Sequence, residues 1–353
     1  MAKSKGLRAA ARPTPFGDLN DLLDGLVGGA RGALGDNFVG AYLHGSFALG
    51  DFDRRSDVDF IVALREDLSP QQLAALQALH AELHVRPNHW AQRLEGSYAP
   101  SALLRRRMAE PRDPPGEPRA DDWVDPETSG WLRPEVYPFW FVGNGRDRLV
   151  RSEHDNRDIP RWILRERGVI LAGPNPRTLI DPVPPEAVRA EARTLIDIFD
   201  KASSELLAKH IFQSFTAVAT ARALHSLDTG RVQSKKAAVV FARHRLDPKF
   251  ASLVERGFAE REQRPTADAD MPAYVARPAD PADAALTREL LAFAKTAKLG
   301  EARALAEQRM AHQRPGAIGR NWRDLRNDRG GRGGGRGGYT PPPTRPGGRR
   351  GRG

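Results

Sequence analysis

His44-Gly45-Ser46-Phe47-Ala48-Leu49-Gly50-Asp51-Phe52-Asp53-Arg54-Arg55-Ser56-Asp57-Val58-Asp59 joins two apolar runs, Phe38 to Leu43 before it and Phe60 to Ala63 after it. Each run has the length and composition of a buried strand. A strand that ends in Gly-Ser, a short helix, and a second strand opening on Asp-x-Asp follow one another. Residues two apart on a strand face the same way, so Asp57 and Asp59 project together while Val58, Phe60 and Val62 turn to the core. Two carboxylates side by side repel unless a cation lies between them. Magnesium, which takes hard oxygen ligands and keeps contact with phosphates, is the expected cation. Gly45 lets a phosphate approach the backbone, Ser46 offers a hydroxyl, and the start of the following helix offers free N–H groups.

Outward from this stretch, Leu19, Leu22, Leu23, Leu26, Val27, Ala30 and Leu34 keep a helical period, with Asp18 as the expected cap. Ser69-Pro70 opens a second helix through Leu73, Leu76, Leu79 and Leu83. Trp90 to Tyr98 reads as a third strand, whose only acid is Glu95. A small mixed α/β unit is therefore expected up to about residue 108. Residues 110–130 read as a Pro- and acid-rich connection, 137–142 and 169–172 as β-like, and Ile159 to Arg167 as helical. From Pro185 to Arg261 the period is helical, broken at Asp228-Thr229-Gly230 and Asp247-Pro248. Residues 263–283 read as linker and 284–311 as a last helix. His80 and His84 share a helical face and are expected at its surface. Trp131, Trp140 and Trp162 are expected in the core or between domains.

Charge is concentrated at the ends. The 353-residue chain carries a net +10. Of this, residues 326–353 hold +7 and residues 1–13 hold +4, which leaves 14–325 at −1. The body is nearly neutral. The Arg/Gly tail with Tyr339 suits RNA phosphates and base stacking, or serves only to keep the protein in solution. There is no cysteine, which excludes disulfides, thiolate catalysis and cysteine-bound metals. With no long apolar run and no secretory signal, the expectation is a cytoplasmic monomer without membrane contact.

The Gly-Ser, ten-residue, Asp-x-Asp arrangement resembles the polymerase-beta-type nucleotidyltransferase superfamily. Two further stretches narrow the resemblance. Ile159 to Pro184, with Leu171-Ala172-Gly173-Pro174, and Ala221-Arg222 through Thr229-Gly230 to Ser234-Lys235 are similar to streptomycin and spectinomycin adenylyltransferases. The resemblance covers residues 20–300 and implies an α+β protein: a nucleotidyltransferase-fold N-terminal domain, a small mixed sheet with helices, followed by an all-helical C-terminal domain. The expected divisions are a basic arm 1–15, a nucleotidyltransferase domain 16–130, a mainly helical domain 131–311 with a 264–283 insertion, and a tail 312–353. It implies transfer of AMP from ATP–Mg²⁺ to a hydroxyl of an aminoglycoside-like small molecule, or of RNA or protein delivered by the tail. Asp57, Asp59 and Glu95 would be the catalytic and metal-holding carboxylates, Glu95 also the base. Gly45, Ser46, Ser56 and Lys235 would hold the nucleotide. One departure stands out. Before Arg222 the family carries Trp and acidic residues for a cationic drug, whereas Lys209-His210-Ile211-Phe212-Gln213-Ser214 has no acid, and a polycation needs carboxylates around it.

Overall fold

The computed structural model describes residues 12–106, 138–201, 204–265 and 271–300. Most of the expected 1–15 arm, the 110–130 connection, Trp131 and the whole 312–353 tail lie outside those residues. Within them, apolar residues at helical spacing form α1 (Gly17–Leu34), whose Leu19, Leu22, Leu23 and Leu26 are fully buried. The cap position falls on Phe16 rather than Asp18. Asn20 fixes this start: its Oδ1 accepts from the Thr14 hydroxyl at 2.9 Å and its amide donates to the Thr14 carbonyl.

The elements that follow are β1 (Phe38–Leu43), α2 (Gly45–Leu49), β2 (Val58–Leu64), α3 (Pro70–His84), β3 (Leu94–Pro100) and α4 (Ser101–Arg105). Then come β4 (Phe139–Val142), β5 (Val150–Ser152), α5 (Asp158–Arg167) and β6 (Val169–Ala172). The helical part comprises α6 (Pro185–Asp200), α7 (Ser204–Leu207), α8 (His210–Thr229), α9 (Lys235–Arg245), α10 (Pro248–Ala259), α11 (Met271–Ala276) and α12 (Pro281–Thr296). The last helix thus starts earlier than 284, because Asp280 caps it and Pro281 opens it. The 264–283 stretch is not all linker, since α11 lies inside it.

The sheet order is β5-β4-β3-β2-β1-β6, with β2 and β3 parallel and every other pair antiparallel. Three of its strands come from residues 139–172, so a domain boundary at residue 130 cuts through a hydrogen-bonded ladder. Of these three strands, β4 and β6 fall on the segments expected to be β-like, whereas β5 has no counterpart among the expected elements. The linear reading also lacked their pairing, which is long-range. Behind the sheet, α1 and α3 cover Val58, Phe60, Val62 and Trp90. The helical part has its own core around Ala217, Leu224, Leu253, Val254 and Leu290. Ala48 and Leu49 of α2 pack with Ile163, Val188 and Val232, tying the sheet to the helices.

His80 departs from expectation. It is buried, and its Nε2 lies 2.9 Å from the Tyr98 hydroxyl across the core face of β3.

Candidate active site

Gly45 follows β1 at φ +53, a conformation that glycine tolerates and other residues seldom adopt. A side chain there would collide with Asp59: a Cβ would lie 1.9 Å from its Oδ2. The glycine is thus required by the carboxylate as well as by any phosphate. The helix after it, α2, has only five residues, so little macrodipole is available. The Ser46 hydroxyl is buried and has no hydrogen-bond partner among the described residues. Such an orphan beside carboxylates fits a site that receives a polar ligand.

The parallel register sets Asp59 directly beside Glu95. Burial pushes the Asp59 carboxyl up to about 6, aided by Glu95, Asp57 and Asp155 and opposed by His44. Burial also raises Asp57, against the pull of Arg264 and Lys235. Desolvation by burial pushes Glu95 up, yet the hydrogen bond and charge of His154, the Asn144 N–H and His44 together outweigh it and hold Glu95 below the usual carboxylate range. The His154 Nε2 lies 3.2 Å from Glu95 Oε1, and the pairing with Glu95 and Asp155 lifts His154 to about 9 against its desolvation. Glu95 is therefore ionised at neutral pH. The backbone N–H of Asn144 donates to its other oxygen at 3.2 Å, and the Asn144 side-chain amide donates to Asp57 Oδ1. Asp155, buried, accepts from Ser97 at 2.6 Å and faces His44 at 3.7 Å.

The helical part supplies the opposite charge. Lys235 begins α9, behind a Ser234 cap. Its ammonium is lowered by burial, then by neighbouring Arg222 and Arg261, while Asp57 and Asp59 favour its charge. Among the described residues it makes no ion pair, and an added anion would relieve the crowding of cations. Arg261 binds the α2–β2 loop at Asp51 (3.2 Å), Asp53 (3.0 Å) and the buried Ser56 hydroxyl (3.0 Å). Arg264 lies 3.8 Å from Asp57. Ser56 is thus occupied by Arg261 and by the Asp53 backbone N–H.

Of the residues expected from sequence, Gly45, Ser46, Asp57, Asp59, Glu95 and Lys235 come together, with Ser56 at the edge. Among the described residues no group of three or more His, Asp or Glu converges tightly enough to hold a metal alone. Magnesium, however, uses one or two carboxylates plus substrate phosphates, which suits Asp57 and Asp59. Sequence reasoning missed Asn144, His154, Asp155, Arg261 and Arg264. Gly143-Asn144-Gly145 carries a turn signal, and His154-Asp155-Asn156 is a polar triplet between a strand and a helix. The two arginines have no local signal.

Residues 31–103 match the sequence pattern of the family described as Nucleotidyltransferase domain. Over those residues the chain is similar to that family. The matched stretch runs from the last turn of α1 into α4 and contains Gly45, Ser46, Asp57, Asp59 and Glu95. No curated protein sequence matches the chain. A solved structure of spectinomycin adenyltransferase AAD(9) from Enterococcus faecialis with ATP and spectinomycin is similar at 13% identity and a TM-score of 0.49, over 78% of this chain and 97% of that one. Among the described residues no helix is long and apolar enough to cross a membrane.

Proposed function

We propose that this nucleotidyltransferase moves AMP from ATP–Mg²⁺ to the hydroxyl of a small molecule and releases pyrophosphate. The observation that carries this reading is the meeting of three carboxylates with a cation that makes no ion pair among the described residues: Asp57 just before β2, Asp59 on β2 and Glu95 on β3, with Lys235 near the two aspartates. Gly45, Ser46 and Lys235 hold the β- and γ-phosphates, so that the leaving pyrophosphate lies opposite the attacking oxygen. Asp57 and Asp59 hold magnesium, which when bound offsets the charge that builds on the phosphates. Glu95, already ionised, takes the proton from the acceptor hydroxyl as its oxygen bonds to the α-phosphorus and the bond to the β-phosphate oxygen breaks. Asn144 and His154 keep Glu95 aimed while it does so.

The experiment is pyrophosphate release from ATP–Mg²⁺ with candidate acceptors, read beside a mass gain of one nucleotide on the acceptor. Asp57→Asn and Asp59→Asn are expected to abolish both signals without unfolding the protein. Substantial transfer by both variants would remove the assignment.

A further inference from the structure

Beside Lys235 a cavity of about 310 Å³ opens into the helical part. One wall is a single stripe of α8, where Phe212, Phe215, Val218 and Arg222 recur every three or four residues. Opposite stand Phe258 of α10 and Tyr274 of α11. Gly257 lets the two walls close up, since a Cβ there would lie 2.9 Å from the Ser214 carbonyl oxygen. Phe212 and Phe215 are 36% and 52% exposed, although Phe199 packs edge-on against Phe215.

The charges on this wall are one-sided. Its acid, Glu260, is spent: His210 Nε2 lies 2.6 Å away and Arg277 3.2 Å. Arg261 is neutralised by Asp51 and Asp53, and Arg264 faces Asp57. Arg222 donates its Nε–H to the Gln233 carbonyl and, like Lys235, makes no ion pair among the described residues. A polycation would find no free carboxylate on the cavity wall, and two cations whose balancing carboxylates, Asp51, Asp57 and Asp59, belong to the sheet side of the site. A flat apolar ring would find aromatic walls, and a negative substituent would find the cations.

We infer that this cavity is the acceptor pocket and that the acceptor is a hydroxyl-bearing aromatic molecule, neutral or anionic, rather than a polycation. The inference rests on the transfer reading above. Lys235 lines the cavity and also faces the phosphate side, so the ring lies against Phe212 and Phe215 with its hydroxyl at the end nearest Lys235.

The test is equilibrium binding of 6-hydroxynaphthalene-2-sulfonate, followed by its own fluorescence polarisation, to full-length protein, measured first without nucleotide and then with a saturating non-hydrolysable ATP analogue and Mg²⁺. Binding is expected, with affinity at least tenfold weaker in Phe215→Asp and a few-fold weaker in Phe215→Ala, both checked for folding by thermal melt. A polycationic aminoglycoside should not compete. Three results would overturn the inference: unchanged binding in both variants, displacement of the probe by the ATP analogue (the cavity then holds the nucleobase), or tighter binding of the aminoglycoside. Nucleotide binding and pyrophosphate release by the unmodified protein report separately on the transfer reading, since probe binding requires neither.

Discussion

At the scale of single residues the site depends on a close approach between Gly45 and Asp59. A methyl group at Gly45 meets the Asp59 carboxylate and must also adopt φ +53. Gly45→Ala is therefore expected to cost about 1–2 kcal/mol of stability and to lose nearly all transfer, because relief of the clash moves Asp59. A thermal melt beside a rate measurement checks this; a variant with the native rate would show that the carboxylate is not needed where it stands. Glu95 separates from the aspartates by what it does. As a base it contributes about 10² to 10⁴ in rate without holding the nucleotide. Glu95→Gln should lower turnover on that scale with ATP–Mg²⁺ affinity little changed, whereas Asp57→Asn and Asp59→Asn should weaken affinity too. Equal affinity in all three variants would merge their roles.

At the scale of elements, the packing of α3 on β3 depends on a histidine that stays neutral. Burial lowers His80 from 6.5 to about 4, while the unfolded chain takes up a proton near 6.5. The folded state therefore binds fewer protons in this window. Its full contribution is present above pH 6.5 and is lost as pH falls toward 4. The loss amounts to at most about 3 kcal/mol at roughly 1.4 kcal/mol per unit. His80→Gln, which keeps a polar partner for Tyr98 and does not titrate, should flatten that acid limb in denaturant melts run from pH 7 to pH 4. An unchanged slope would place the titration elsewhere. The opening of the same helix was legible: Ser69 and Gln72 form a reciprocal cap, the Ser69 hydroxyl accepting from the Gln72 N–H at 3.2 Å. The burial of His80 was not legible, because helical spacing reports a face and not what covers it.

At the scale of the molecule, Arg261 links the helical part to the loop that carries Asp51, Asp53 and Ser56. Arg261→Ala removes the guanidinium from two carboxylates and a buried hydroxyl, which keep only backbone N–H partners. We expect a loss of about 1–3 kcal/mol together with weaker nucleotide binding, since the loop leads directly into Asp57 and Asp59. A variant with native melting temperature and native nucleotide affinity would make the contact incidental. The tail belongs to the same scale. If the cations of 326–353 contact RNA, binding must fall steeply with salt, because released counterions drive it, and must disappear when residues 314–353 are removed. Binding that is insensitive to both would assign it to the near-neutral body.

Local patterns in the chain were enough for the strand–helix–strand–helix–strand order, the Gly-Ser and Asp-x-Asp positions and most helix breaks. These depend on residues within a few positions of one another: alternation, caps, proline and glycine. Only the tertiary structure decided that 139–172 completes the sheet, that Asn144 and His154 hold Glu95, and that Arg261 and Arg264 reach the aspartate loop. Those contacts join residues some 50 to 210 positions apart. Such partners are chosen by what folding brings within hydrogen-bonding distance, and a charged side chain carries no local mark of the partner it will meet.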